Sequence, residues 1–115
     1  MESKRSDTGL PPGEPVDLGA LVAYQDGSVV SRTLLKKRGG TVTVFAFDQG
    51  QALSEHTAPF DAIVQVLEGT VELTIGGKRV VASQGQTVLL PADVSHALAA
   101  TARLKMLLLM LRGSE

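Results

Sequence analysis

The stretch GQALSEHTAPFDA, residues 50–62, decides the fold together with its counterpart GQTVLLPADVSH, residues 85–96. Each stretch begins with a glycine and contains one histidine, and His56 and His96 are the only two histidines of the chain. In both stretches a proline and a short apolar run lie close to the histidine, which is typical of a turn next to a β-strand. Two histidines on separate strands of a small β-protein predict one shared pocket, with imidazole nitrogens within about 5 Å of each other.

The composition is that of one small β-domain. The 115 residues suffice for a single hydrophobic core. Hydrophobic residues make up 43% of the chain, but only three Phe and one Tyr are aromatic, so Val, Leu, Ile and Ala dominate, punctuated by 12 glycines. This balance favours a compact β-structure with tight turns. Eleven basic residues against twelve acidic ones give no basic surplus, so nucleic acid is not an expected partner.

The chain contains no cysteine, which excludes disulfides and thiolate-bound metals. Its first residues are polar and lack the apolar segment of a secretory signal. The longest apolar run, Met106–Leu111, is far shorter than the roughly 20 residues of a membrane-spanning helix. We therefore expect a soluble cytoplasmic protein that does not enter a membrane.

Alternation and turn residues predict about eight short strands between residue 29 and residue 111. Thr41–Phe47 alternates between two largely apolar faces, as in a strand that is covered on both sides. Val71, Leu73 and Ile75 alternate with polar residues, and the Gly76-Gly77 pair that follows predicts a two-residue hairpin. Strands at turn spacings of roughly ten residues favour an all-β sandwich or small barrel.

The ends of the chain are less regular than its centre. Residues 1–15 are polar and carry three of the five prolines, which predicts a flexible or extended arm. Residues 16–115 then form a single barrel domain. Val16–Val22 is compatible with a short helix capped by Asp17 and equally with an extended strand.

The last predicted strand is apolar on both faces from Met106 to Leu111. A strand of a small barrel has an inside and an outside, so an apolar outside must be covered. A second copy of the chain would cover it in a homodimer, which is the expectation we favour. The alternative is that Val16–Val22 of the same chain covers this face.

Side-chain parity separates the pocket candidates from their neighbours. If Ala62, Val64 and Val66 face the interior, Asp61 and Gln65 face outward and miss a site inside the barrel. Ser54 shares the parity of His56 in a regular strand and is then its nearest polar neighbour. The predicted ligand-binding residues are His56, His96, Ala58, Ala62, Ser54 and Val64, with His56 and His96 as the metal-binding pair.

Both stretches resemble the two motifs of small single-domain cupins of the RmlC-like cupin superfamily. The first motif of that family reads Gly, five residues, His-x-His, three or four residues, Glu, six residues, Gly, and here it begins at Gly50 and ends at Gly69. The second reads Gly, five residues, Pro-x-Gly, two residues, His, and here it begins at Gly85 and ends at His96. The resemblance implies a cupin-type antiparallel β-barrel, a double-stranded β-helix or jelly roll.

This chain differs from the two motifs mainly at the positions of the metal ligands. The four usual metal ligands of the family fall on His56, Ala58, Ala62 and His96, so two ligands, including the carboxylate, are missing here. The glycine after the second-motif proline is Asp93, a mild change because Asp tolerates a left-handed backbone. Two imidazoles leave a divalent ion largely bound by water, so any Fe, Mn, Ni or Zn would be held weakly or with assistance from a bound substrate.

Three functions remain open from the sequence. The first is a small-molecule-binding barrel with a two-histidine pocket, which binds a divalent metal weakly or with substrate assistance. The second is a metal-dependent dioxygenase or isomerase that uses His56 and His96, in which open coordination positions would serve substrate and oxygen. The third is a non-catalytic, degenerate cupin that serves as an association module.

Overall fold

The computed structural model describes residues 9–112, which form nine antiparallel strands and one short 3₁₀ turn, Leu18–Leu21. Residues 1–8 of the predicted arm and residues 113–115 lie outside the described part. The strands are β1 (Val29–Lys37), β2 (Gly40–Phe47), β3 (Ala52–His56), β4 (Phe60–Glu68), β5 (Thr70–Ile75), β6 (Lys78–Ser83), β7 (Thr87–Leu90), β8 (His96–Ala99) and β9 (Leu104–Arg112). The all-β prediction is confirmed: nine strands occur where about eight are predicted, and β2 begins one residue before the predicted Thr41–Phe47.

The strands form two sheets that face each other as a jelly-roll barrel. The larger sheet has the order β1-β2-β9-β4-β7 and the smaller one β3-β8-β5-β6. Gly76 and Gly77 have φ values of 57° and 85° and form the predicted two-residue turn between β5 and β6. Positive φ at both central positions matches the right-handed twist of the two strands, which is why glycines occupy this turn.

The main core lies between the inner faces of the two sheets. Each strand contributes alternate side chains to it, as strand geometry requires. Phe47, Leu73, Leu104 and Met106 are completely buried there. Ala62, Val64 and Val66 belong to the same cluster, so the predicted inward parity of β4 is correct.

A second, smaller core covers one end of the outer face of the larger sheet. Leu18, Leu21 and Val22 of the N-terminal segment pack on a cluster that includes Val44, Ala46 and Leu107. Val16–Val22 therefore covers part of the apolar outer face, as in the alternative considered above. It does so through a 3₁₀ turn, and the side chain of Asp17 forms no capping hydrogen bond.

Polar contacts attach the N-terminal segment to β9 and β1. The Lys105 ammonium donates to the Gly19 carbonyl over 2.6 Å, and the Arg32 guanidinium donates to the Leu21 carbonyl over 3.3 Å. The Lys105 Nζ and the Arg103 guanidinium each lie 5.0 Å from the centre of the Tyr24 ring. Cations over an aromatic face add attraction to the apolar packing. Within residues 9–112, no helix is long and apolar enough to span a membrane.

Candidate ligand-binding site

The structure brings His56 and His96 together at one end of the barrel. They are register partners on the neighbouring strands β3 and β8, and their ring centroids lie 4.4 Å apart at an interplanar angle of 69°. His96 is 9% exposed, whereas His56 is open to solvent. The pair therefore has one imidazole in the wall of the barrel and one at its rim.

A β-bulge places His56 on the inner face. Leu53 pairs with Leu98 in the core, and the register then shifts before His56 pairs with His96. A bulge inserts one extra residue into a strand and so changes which side chain faces the barrel. Because of the bulge, the simple alternation that put Ser54 beside His56 does not hold in β3.

Both imidazoles are oriented by backbone carbonyls two residues before them in the chain. The Nδ1 of His56 lies 2.9 Å from the Ser54 carbonyl oxygen, and the Nδ1 of His96 lies 3.3 Å from that of Val94. A carbonyl oxygen only accepts hydrogen bonds, so Nδ1 is the donor in each ring. A neutral ring with this donor carries its lone pair on Nε2, and neither Nε2 has a hydrogen-bond partner within residues 9–112.

Three hydrogen bonds connect the segment around His56 to the loop before His96. The Ser95 hydroxyl donates to the Glu55 carboxylate over 2.9 Å, and the Asp93 N–H donates to the Ala58 carbonyl over 2.8 Å. The Ala92 N–H donates to the Asp61 carboxylate, also over 2.8 Å. These bonds restrain the two segments relative to each other, so they help to hold the rings side by side.

The other predicted site residues occupy different depths. Ala58 is half-buried in the β3–β4 connection, and Ser54 is exposed and meets His56 through its backbone carbonyl. Ala62 is 6% exposed and Val64 is completely buried, both within the main core. Ligand contact by these four residues stays a prediction.

The donor set at this site does not fit a resident metal ion held by the protein alone. No group of three or more His, Cys, Asp or Glu side chains in residues 9–112 is arranged to hold a metal. Asp61 faces outward on β4 and binds the Ala92 N–H, in line with its predicted parity. With two imidazoles as the protein donors, no reaction step can be assigned to a metal in this barrel.

Sequence reasoning missed the roles of Glu55, Ser95 and Asp61 in joining the two segments. Their partners lie 31 to 40 residues away in the chain, so nothing in the local pattern signals the contacts. It also missed Arg112, which follows Met106, Leu108 and Met110 in the inward alternation of β9. The alternation of β9 identifies Arg112 as an inward residue when it is continued from Met110 to the next inward position.

Comparison with known proteins agrees with this architecture. A conserved protein of unknown function from Streptococcus pyogenes superimposes with a TM-score of 0.87 at 33% identity, over 92% of this chain and 93% of that one. A cupin superfamily protein from Desulfitobacterium hafniense gives a TM-score of 0.85 at 26% identity, over 90% and 95%. A cupin 2 conserved-barrel protein from Leptotrichia buccalis gives 0.81 at 37% identity, over 84% of this chain and 47% of that one.

The family assignment follows from a sequence model as well as from these structures. No curated protein matches the sequence. The model of the cupin domain matches residues 43–111, which is more than half of the chain and includes both histidines. The protein therefore belongs to the cupin family.

Proposed function

We propose that this protein binds a small molecule at the barrel end where His56 and His96 meet. The observation that carries the proposal is the adjacency of two imidazoles, each with its Nδ1 engaged by a carbonyl and its Nε2 without a hydrogen bond within residues 9–112. Small-molecule sites typically combine apolar walls with a few convergent polar groups. The inner face beside the pair supplies the apolar part through Ile75, Met110 and Leu90.

A divalent metal would take part in this function as an ion shared between protein and ligand. Metal-bound histidines usually donate their other ring N–H to a carbonyl or carboxylate, as both rings do here. Two imidazoles fall short of the three or four protein ligands of a stable zinc site, so the ligand or water would complete the coordination. Such an ion should be bound weakly by the protein alone and more tightly when the ligand is present.

The first experiment is metal analysis of untagged protein purified without chelators, alongside a His56→Ala, His96→Ala double variant. A thermal-shift screen of small molecules then runs with EDTA and, separately, with added zinc or manganese. A ligand that binds only the native state stabilises it by RT ln(1 + [L]/Kd) and so raises the unfolding temperature. We expect compounds that stabilise the wild-type protein and not the double variant.

Thr57→Ala serves as the matched control, because Thr57 is an exposed neighbour of His56 on the same segment. Stoichiometric metal in the purified protein that disappears in the double variant would favour the metal-dependent dioxygenase or isomerase. A screen without histidine-dependent hits, in either metal condition, would contradict a ligand pocket and favour the association module.

We also propose that a second copy of the chain covers the rest of the outer face of the larger sheet. One register row of this face is apolar on all five strands and consists of Leu35, Val42, Leu109, Ile63 and Leu89. Leu35 and Leu89, at its two ends, are 52% and 58% exposed. An apolar row of this extent on a soluble protein is typical of an association surface.

The charges beside this row suit a copy of the same chain. The next register row carries Lys37 at the β1 edge and Asp61 on β4, with Leu111 between them. A two-fold axis parallel to the strands would stack β1 of one copy over the β7 side of the other. Lys37 would then approach the partner copy's acidic side, and opposite charges would meet at both ends of the interface.

Light scattering after size exclusion tests the dimer at protein concentrations of about 100 μM. We expect Leu89→Lys to give a monomer, because a charge at one end of the apolar row would lose its hydration against the partner copy. Val81→Lys is the matched control: Val81 is 54% exposed on the smaller sheet, away from the apolar row. A wild-type monomer at this concentration, or equal effects of the two substitutions, would contradict the proposed interface.

A further inference from the structure

The charges on the inner faces of the barrel are all of one sign. Among the inward positions of β1 to β9, set by the register and the core cluster, there is no Asp and no Glu. Three inward positions carry cations instead: Lys36, Lys78 and Arg112. All three lie at the end of the barrel that holds the two histidines.

Register places each cation next to the histidine end. Lys78 ends the row that runs from His56 through His96 and Ile75 across the smaller sheet. In the larger sheet, Arg112 pairs with Phe60, the first residue of the strand that follows His56. Lys36 pairs with Thr41 on the edge strands of the same sheet.

Two contacts within residues 9–112 restrain the Arg112 guanidinium. It lies 5.2 Å from the centre of the Phe60 ring, and its Nη1 donates to the Arg38 carbonyl over 3.1 Å. Stacking and one hydrogen bond restrict the side chain, so less entropy is lost when a ligand binds. Four of the five guanidinium N–H groups have no acceptor within residues 9–112 and can donate to a planar ligand.

Three carboxylates of the neighbouring segments are engaged by other partners. Glu55 accepts from Ser95, and Asp61 accepts from Ala92 on the outer side. Glu72 forms an ion pair with Arg79 on the outer face of the smaller sheet, with an N–O distance of 2.7 Å. Within residues 9–112, none of the three cations at the histidine end forms an ion pair with a carboxylate.

We propose that the ligand of this barrel carries a carboxylate, and that Arg112 is its main charged partner, assisted by Lys36 and Lys78. The inference rests on the proposed ligand pocket and specifies its chemistry. Guanidinium groups bind carboxylates through two parallel N–H···O bonds, and such charge-assisted bonds are about twice as strong as neutral ones. The same carboxylate would supply the oxygen ligand that this chain lacks when a metal ion is shared with the substrate.

An organic acid fits these surroundings better than a phosphate. Inorganic phosphate and phosphate esters are usually bound by several backbone N–H groups at a glycine-rich turn or a helix N-terminus. This end of the barrel offers one guanidinium, two separated ammonium groups and an apolar floor that includes Ile75 and Met110. A ligand with one planar, singly charged carboxylate and an apolar remainder matches that arrangement.

The test uses the imidazole ¹H–¹⁵N signals of the two histidines in metal-free buffer. The probes are three acids and their amides, namely pyruvate, succinate and benzoate with pyruvamide, succinamide and benzamide, and inorganic phosphate. We expect the acids to shift the signals with dissociation constants in the millimolar range, as usual for ligands of this size. The amides and phosphate should bind at least about tenfold more weakly.

Adjacent lysines of β1 provide a matched pair of variants. Lys36 faces inward and Lys37 outward, and both are exposed. Arg112→Gln should weaken acid binding about tenfold and Lys36→Gln severalfold, whereas Lys37→Gln should leave it unchanged. The unfolding temperature of each variant confirms that it is folded before binding is measured.

The outcomes separate this inference from the proposed function. Equal shifts of the imidazole signals with acids and amides would overturn the proposal that the ligand carries a carboxylate. Acid binding that is unchanged in Arg112→Gln would do the same. Both outcomes leave the proposed ligand pocket in place. Preferred binding of phosphate would overturn it as well. No shift with any probe, together with a screen that gives no histidine-dependent hit, would overturn both.

Discussion

Asp93 is the one non-glycine residue among residues 9–112 with φ in the left-handed region, at 63°. It occupies the position where the cupin motif has glycine, in the loop that leads to His96. Its N–H donates to the Ala58 carbonyl, so the unusual backbone conformation serves the contact between the two histidine segments. The cost is modest, because Asp tolerates this conformation better than most residues.

Substitutions at Asp93 should rank by their tolerance of positive φ. We expect Asp93→Ala to lower the free energy of unfolding by about 1 kcal/mol, since alanine clashes with its own backbone in this region. Asp93→Gly should stay within about 0.5 kcal/mol of the wild type, because relief of the strain offsets the greater chain entropy of glycine. Urea denaturation measures both, and an alanine variant as stable as the wild type would contradict the left-handed backbone.

Tyr24, the only tyrosine of a chain without tryptophan, reports on the N-terminal segment. Burial raises its pKa to about 12, the negative charge of Glu68 adds to the increase, and Arg103 opposes it. The folded state thus holds the phenol proton more tightly than the unfolded state. Stability from this residue is complete below about pH 10, the ordinary pKa of tyrosine, and is lost as pH rises through the folded value of about 12.

Absorbance at the phenolate band gives this pKa directly. We expect an inflection near pH 12 for the folded protein and near pH 10 in concentrated urea. Glu68→Gln should lower the folded value, because one of its causes is removed. Titration of the folded protein at the ordinary pKa would show that Tyr24 is solvated and that the segment does not cover the sheet.

At the scale of elements, alternation and glycine pairs were sufficient to predict most strands and the β5–β6 hairpin. They were not sufficient for β3, because the bulge between Leu53 and His56 has no signal in residue type. They also did not decide the role of Val16–Val22. An apolar outer face predicts that other residues pack on it, but not which segment supplies them. The adjacency of the histidines was accessible from the motifs, whereas Glu55, Ser95 and Asp61 depend on contacts between distant segments.

Asp48 connects three loops at the end of the barrel opposite the histidines. Its carboxylate accepts from the Gly27 N–H over 2.7 Å and from the Arg103 guanidinium over 3.0 Å, and Arg103 also reaches Asp26. The hydrogen bond from Gly27, followed by that from Arg103, holds the pKa of Asp48 below its usual value. The stability that Asp48 contributes is therefore present above its ordinary pKa and is lost as pH falls through the lowered folded value.

Asp48→Asn should reduce stability at neutral pH and have a smaller effect in acid. Asparagine keeps an acceptor for Gly27 but loses the charge opposite Arg103. We expect the difference in urea midpoint between wild type and variant at about pH 7 to shrink towards about pH 2.5. A difference that is independent of pH would mean that the charge of Asp48 does not stabilise the loops.

At the scale of the whole molecule, two cores share one sheet. The larger sheet carries the main core on its inner face and, on part of its outer face, the smaller core formed with the N-terminal segment. Val22 is 6% exposed although it belongs to neither sheet. Folding of the barrel and docking of the segment should therefore form one cooperative unit.

Val22→Ala tests whether the barrel and the N-terminal segment unfold cooperatively. We expect it to lower the free energy of unfolding by about 2 kcal/mol, as for other truncations of buried aliphatic side chains, within a single transition. Val16→Ala is the control, because Val16 is 40% exposed. A loss as small as that of the control would show that the segment docks loosely on a barrel that is stable without it.

The bulge in β3 has a consequence for the chemistry that this barrel can evolve. If the bulge were absent and the sequence unchanged, the ladder that pairs Leu53 with Leu98 would continue regularly and bring Glu55, instead of His56, opposite His96. Loss of the bulge would thus exchange the imidazole opposite His96 for a carboxylate, whereas deletion of Ser54 or Glu55 would remove the bulge and keep His56 opposite His96. The charge that this end of the barrel presents can therefore change through strand register alone, without any substitution.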